Sequence, residues 1–332
     1  MKSLLIRGGG ILFAGILLLI AGLFLFYRSN AVPTEYRDQR EDVESLLAAH
    51  DVQDAYRIFK ERYASETQAV QHQAAHLFGE ALYAKGGLDL FSVCDQSFGF
   101  GCFHSFISLA LKDHGESVAK DLDAKCVAAY GEQGLGCSHG VGHGLLSYFG
   151  YDLPALTKAL SLCESLTWNH PYGGCKDGVF MEYDFQTMAQ GDGGSLRRVD
   201  LNNPHAPCNE VDKRSRVACY FGLPALWMAT NVAGIDGMAA WCRQIKNGNE
   251  RAACYRGIGY AYAPSVSFST SKIISACDQL STDEGRLQCR EGGAWMLYAD
   301  PALRETAKDV CTIGLSDQLS AQCLKEYLFV IE

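Results

Sequence analysis

Apolar residues recur along most of this chain in short amphipathic stretches, each ending at a cysteine. "LTKALSLC" (156–163), "GMAAWC" (237–242), "SKIISAC" (271–277) and "AKDVC" (307–311) place apolar side chains three and four positions apart. That spacing predicts one buried helix face. A polar loop such as "KNGNE" (246–250) follows, and a second helix is expected to start near the next cysteine. The second stretches read "CFHSFISLAL", "CSHGVGHGLL", "CKDGVFMEYD", "CYFGLPALWM", "CYRGIGYAYA", "CREGGAWMLY" and "CLKEYLFVIE". The repeated pattern is a first helix, a polar turn and a second helix. Two earlier segments share the periodicity without cysteine. "QREDVESLLAAHDVQDAYRIFKERYA" (39–64) reads as a helical hairpin, and "ETQAVQHQAAHLFGEALYA" (66–84) as a long helix in the second-helix role. Residues 8–27 differ from all of these, because they are apolar and carry no charge. A run of that length spans a bilayer as a helix.

The cysteines give the pattern a period. They pair in order as Cys94/Cys102, Cys126/Cys137, Cys163/Cys175, Cys208/Cys219, Cys242/Cys254, Cys277/Cys289 and Cys311/Cys323. Within pairs the separation is 8–12 residues, and successive pairs mostly start 32–37 residues apart. One step is 45 residues and contains the Gly/Asp/Asn/Pro-rich insertion 190–207. A period near 34 is that of a two-helix repeat. Each pair is expected to form a disulfide across the turn of one helical hairpin. No C-x-x-C pair exists, which argues against zinc held by the cysteines, and C-x-x-C-H haem attachment is absent. Disulfides in this number fit an exported chain.

The expected fold is therefore all-α: an α-solenoid of about eight helical hairpins, right-handed, with seven of them stapled by intra-repeat disulfides. The architecture resembles tetratricopeptide-type helical repeats, in the disulfide-stapled form of some exported bacterial proteins. The resemblance covers roughly residues 40–332 and implies the fold, not an activity. The expected organisation is a cytoplasmic N-terminus (1–7), a transmembrane anchor (8–27), a linker (28–38) and an extracytoplasmic repeat domain (39–332). Lys2 and Arg7 before the apolar run set that orientation. The chain would sit in the inner membrane as a single-pass protein, its C-terminal domain periplasmic or on the cell surface. Ser29-Asn30-Ala31 offers a cleavage site as the alternative to an uncleaved anchor. Three of the 29 basic residues and none of the 38 acidic ones lie in the first 30 positions, so the repeat domain is acidic. Such a surface has no basic footprint for nucleic acid.

Counted from its cysteine, each second helix has Gly at +3 in five of seven units: Gly140, Gly178, Gly222, Gly257 and Gly292. At 100° per residue this position lies 60° from the cysteine and is expected to face the first helix. Positions +2 and +6 lie opposite the cysteine, on the expected concave face. They read His104, His139, Asp177, Phe221, Arg256, Glu291 and Lys325 at +2, and Ser108, His143, Met181, Ala225, Tyr260, Trp295 and Phe329 at +6. His72 and His76 in the cysteine-free helix share the four-residue spacing of His139 and His143, which aligns them with +2 and +6.

Neighbouring helices pack about 10 Å apart, and histidines at i and i+4 can chelate one ion. His72, His76, His104, His139 and His143, with Asp177 as carboxylate, are therefore the expected ligands of a divalent transition metal: Zn, Fe, Mn or Cu. Asp184 at +9 is a further candidate carboxylate, and Glu182 at +7 reads as a buried hydrogen-bonding partner. His114, His170 and His205 fall in loops and read as solvated. Arg256 and Glu291 read as an ion pair. With Tyr260 and Trp295 they also offer a ligand groove. No phosphate loop, G-x-S-x-G or H-E-x-x-H is present, so no nucleotide is expected and no hydrolase family is assigned. Two functions follow: a metal site used for catalysis or metal handling, or a non-enzymatic scaffold holding an envelope protein or peptide in the groove.

Overall fold

The computed structural model describes residues 34–167, 170, 172–188, 195–298 and 303–328. They form fifteen α-helices and, among the described residues, no strand. The helices are α1 (Thr34–Ala49), α2 (Val52–Tyr63), α3 (Gln68–Gly86), α4 (Gly101–His114), α5 (Ala119–Tyr130), α6 (Leu135–Phe149), α7 (Leu153–Cys163) and α8 (Cys175–Phe185). They continue as α9 (Lys213–Ala229), α10 (Ile235–Gln244), α11 (Gly248–Ser265), α12 (Thr270–Asp278), α13 (Asp283–Tyr298), α14 (Arg304–Thr312) and α15 (Asp317–Leu328). The expected membrane anchor at 8–27 and the cleavage site at 29–31 lie outside the described residues. Among the described residues, no helix is long and apolar enough to cross a membrane.

Two layers build the solenoid. The inner layer runs α3, α4, α6, α8, α9, α11, α13, α15, each helix packing on the next. The outer layer holds α5, α7, α10, α12 and α14, each packed on the inner helix that follows it, while α1 and α2 cover α3. The amphipathic stretches supply the core between layers: Leu156, Ala159 and Leu160 of α7, Met238 and Ala239 of α10, and Ile273 of α12 are all buried.

All seven disulfides join consecutive cysteines, as expected: Cys94–Cys102, Cys126–Cys137, Cys163–Cys175, Cys208–Cys219, Cys242–Cys254, Cys277–Cys289 and Cys311–Cys323. Their Cα–Cα distances are 5.3–5.6 Å, and no cysteine is free. The expected helix starts need correction. Cys102 and Cys175 do sit at the start of α4 and α8, but Cys137 lies inside α6, which begins at Leu135. Cys219, Cys254, Cys289 and Cys323 lie more than one turn into α9, α11, α13 and α15, which begin at Lys213, Gly248, Asp283 and Asp317. The polar residues ahead of these cysteines are the helices' own first turns, capped by side chains. Asp212 accepts from the Arg214 amide, Asn247 from the amides of Asn249 and Glu250, and Thr282 from that of Gly285. Cys254, Cys289 and Cys323 therefore reach their outer helices from within the inner helix, not from a turn, and Cys219 reaches Cys208 in the same way.

Among the described residues, two of the seven units have no outer helix. Before α4 the chain makes the 3₁₀ run Gly87–Val93, and the Cys94–Cys102 separation of 8 residues is the shortest of the set. Before α9 the insertion takes the outer position, and Cys208 sits in a succession of turns. Its described part is strapped down: Arg197 donates to Asp184 (2.7 Å) and to the Ala206 carbonyl (3.0 Å), and Trp227 donates to the Pro204 carbonyl (3.0 Å). Asp184 is thereby committed to Arg197 and lies outside the histidine cluster. His205 is half-buried rather than solvated, its ring against Tyr220 and Trp227. His114 is exposed, as expected, but it ends α4 instead of lying in a loop.

The glycines at +3 do not face the outer helix. A Cβ on Gly178 would lie 1.9 Å from the His139 carbonyl oxygen of the preceding inner helix, and one on Gly292 1.8 Å from the Arg256 carbonyl. At 60° from the cysteine the position points between two neighbours, and the preceding inner helix is the nearer. On the other side of α6, a Cβ on Gly142 would lie 2.0 Å from the Cys175 carbonyl of the following inner helix. Inner helices thus touch backbone to backbone, which carries residues on their inward edge closer together than a general 8–10 Å helix spacing does.

The inward face is also more closed than the expected open groove. Trp295 packs against Tyr172 (5.5 Å between centroids), Phe221 (5.2 Å) and Tyr260 (5.8 Å), so residues from four repeats share one aromatic cluster. Arg256 is buried above Tyr172 and donates to Glu291 and to Gln288. The ion pair expected from the sequence is present, and its partners occupy each other.

Candidate metal centre

Three adjacent inner helices bring five histidines into one cluster. His72 and His76 come from α3, His104 from α4, and His139 and His143 from α6. The packing corrects the alignment of the first pair. A Cβ on Gly79 would meet the Cys102 carbonyl at 2.1 Å, just as Gly142 meets that of Cys175. This makes Gly79 the +5 position, so His76 and not His72 matches His104 and His139. His72 lies one turn before the row and His143 one turn after it.

His104 sits at the centre. Its ring centroid is 5.1 Å from His72 and 5.3 Å from His76 on one side. On the other side it is 5.5 Å from His139 and 4.7 Å from His143. His76 Nε2 lies 3.1 Å from His72 Nε2 and 3.3 Å from His104 Nδ1. His143 Nε2 lies 3.0 Å from His139 Nε2. Two overlapping groups result, His72/His76/His104 and His104/His139/His143. In each, one nitrogen per ring lies within 4.8 Å of the others, the arrangement needed to hold a metal ion. His104, His139 and His143 are buried, and His72 and His76 are partly so.

Acceptors behind the rings set the tautomers. His143 Nδ1 donates to Glu182 Oε2 (2.9 Å), and His139 Nδ1 lies 3.1 Å from Asp177 Oδ2. His72 Nδ1 donates to the Phe98 carbonyl (2.8 Å). With an Nδ1 proton facing each carboxylate, His139 and His143 turn two Nε2 lone pairs toward each other; the other tautomer of either ring makes the contact a hydrogen bond and sets a bare Nδ1 lone pair against a carboxylate. Histidines that ligate metals are oriented in this way, by a carboxylate or carbonyl on the far nitrogen. Burial lowers the pKa of His72, His76, His104 and His143, those of His76 and His104 well below the ordinary value, which favours neutral, metal-competent imidazole.

Glu182 is an anchor and not a ligand. Burial alone would raise its pKa, but hydrogen bonds from His143, Thr187 and Tyr151 outweigh burial and keep it ionised. Its oxygens accept from His143, from Thr187 Oγ1 (2.7 Å), from Tyr151 Oη (2.6 Å) and from the Met188 amide (2.9 Å), which fills both. Asp177, expected as a ligand, stands behind His139 instead and belongs to neither histidine group. No lysine or arginine forms an ion pair with Asp177 or Glu182 among the described residues. Two buried carboxylates without cationic partners are costly unless a positive charge lies close by. The cage of Phe98, Tyr151, Thr187 and Met188 was not anticipated from the sequence, because its members lie in turns outside the repeat numbering.

Tyr151→Phe removes one of the four donors to Glu182 while keeping the ring. It is expected to cost about 1.5 kcal/mol, the lower range for a hydrogen bond to a charged group. Thermal unfolding of this variant beside one at an exposed tyrosine, Tyr148→Phe (the residue is 44% exposed), measures the difference.

Comparison with protein-family models, with curated proteins and with solved structures finds no match to this chain. What stands on the geometry is an all-helical, disulfide-rich protein with a buried histidine cluster suited to a metal ion.

Proposed function

We propose that this protein binds a transition metal through His104, His139 and His143, with Asp177 and Glu182 fixing the rings and offsetting the metal's charge. The observation that carries the reading is the 3.0 Å approach of His139 Nε2 to His143 Nε2 while both Nδ1 atoms face carboxylates. Two lone pairs at that distance repel unless a cation lies between or beside them. Neutral imidazole without thiolate suits Zn, Cu or Fe, and Mn, which prefers oxygen ligands, is the least suited of the four expected metals. Three protein nitrogens leave coordination positions open for water or a substrate oxygen, as in catalytic metal sites. The setting we propose is the one read from the sequence: anchored through residues 8–27, outside the cytoplasm, in metal-dependent catalysis or metal handling.

The test is elemental analysis of the full chain, made oxidised and purified in detergent without chelator or nickel resin. At least one equivalent of metal per chain is expected. A His139→Ala/His143→Ala variant with unchanged helical circular dichroism is expected to hold one equivalent less. A wild-type protein that takes up none of Zn, Fe, Mn or Cu on reconstitution overturns the reading.

A further inference from the structure

The cluster holds more histidine than one ion needs, and the surplus is ordered. His72 and His76 repeat the arrangement of His139 and His143: two rings four residues apart, Nε2 facing Nε2, and a Nδ1 tied down from behind. His104 belongs to both groups. Its Nδ1 faces His76 Nε2, whereas its Nε2 is buried and has no hydrogen-bond partner. A polar atom buried without a partner is uncommon and unfavourable. No tautomer of His104 cures this, because a proton on Nε2 lacks an acceptor and a lone pair there lacks a donor. Of the five clustered histidines, only the one lying between the two pairs has such an atom among the described residues.

We propose that the protein holds two metal ions bridged by His104. One is held by His72, His76 and His104 Nδ1, and the other by His104 Nε2, His139 and His143. The proposal rests on the metal-binding reading above and adds the second position and the shared ring. The proton balance follows from imidazole chemistry. Neutral His104 carries one N–H proton and one lone pair, which serves a single metal. Binding the second metal displaces the N–H proton to solvent and leaves an imidazolate with one lone pair for each ion. The two positions differ in setting: His72 and His76 are partly exposed, whereas His139 and His143 are buried next to two carboxylates. The His72/His76 position is thus the one open to exchange or to a small substrate, and the His139/His143 position the retained one.

Copper(II) titrated into the metal-free full chain in detergent tests this. Two equivalents are expected per wild-type chain, with proton release accompanying the second. Because imidazolate couples the two spins, the electron paramagnetic resonance intensity should fall well below that of two isolated copper(II) ions at low temperature. His72→Ala/His76→Ala and His139→Ala/His143→Ala should each keep one equivalent with full intensity. His104→Gln should lose the coupling, and the two double variants decide the matter if that protein fails to fold. A wild type holding one copper that either double variant removes overturns the bridged pair and leaves metal binding intact. So do two coppers with full, uncoupled intensity. No copper or other metal in the wild type overturns both.

Discussion

Gly178→Ala is expected to destabilise the protein by about 3 kcal/mol or more and to weaken the metal binding proposed at His139. The added methyl would sit 1.9 Å from the His139 carbonyl oxygen and 2.8 Å from its carbon. Both are backbone atoms of α6, so no side-chain rotation makes room. Overpacking a fitted interior usually costs about 1–3 kcal/mol, and a backbone collision belongs at the upper end or beyond. To relieve it, α8 must move away from α6. Asp177 and Glu182 ride on α8 and hold the rings of His139 and His143 on α6, so the separation that relieves the clash also loosens the site. Gly222→Ala is the control in the same repeat position. There a Cβ meets Phe180 at 3.9 Å and Asp177 at 4.0 Å, an ordinary contact. Since alanine favours a helix interior over glycine by about 1 kcal/mol, Gly222→Ala should unfold at or above the wild-type temperature. Thermal unfolding and metal content of the two variants decide it. A Gly178→Ala protein with wild-type melting and metal would show that the two helices do not pack as described.

The repeat numbering carried much of this, and its failures have a common cause. Cysteine spacing identified the seven disulfides and five of the seven stapled hairpins, and helical periodicity counted from the cysteines gave the inward row His104, His139 and Asp177. Helical periodicity gives the angle at which a residue leaves its own helix. It does not say which neighbour stands at that angle, so Gly178 was assigned to the outer helix and Asp177 to the metal. Nor does a cysteine mark where its helix begins: Cys219, Cys254 and Cys289 are preceded by polar first turns that read as loop. The register of α3 was misread for a related reason. His72 and His76 share the spacing of His139 and His143, but without a cysteine nothing local marks the start of the repeat, and Gly79 against Cys102 does. Contacts made by irregular chain left no periodic trace. The Phe98 carbonyl on His72, Tyr151 on Glu182 and Tyr172 on Trp295 all depend on where a turn returns to the stack. The insertion was legible as a loop but not as the partner of Asp184.

The disulfides offer the second large effect, and the outcome should depend on position more than on loop size. Cys163–Cys175 and Cys311–Cys323 close loops of the same separation, 12 residues. The loop-entropy account therefore assigns each about 3 kcal/mol. In a solenoid, stability is a sum of units and of interfaces between neighbours, so the same local loss has different reach. Cys311–Cys323 joins α14 to α15, the last two helices described. Cys311→Ala/Cys323→Ala should fray that end, with early proteolysis confined to it and metal content unchanged. Cys163–Cys175 joins α7 to α8 in mid-stack, and α8 packs on both α6 and α9. The Cys175 carbonyl is itself the atom against Gly142, and Asp177 lies two residues further on. Cys163→Ala/Cys175→Ala should therefore open an internal proteolytic site between residues 164 and 174, lower the melting temperature and weaken the metal binding proposed at His139 and His143. Limited proteolysis with peptide mapping, run beside elemental analysis on both variants, reads all three effects. Equal behaviour of the two variants would mean that the staples act only within their own hairpins and that the histidine cluster is supported independently of them.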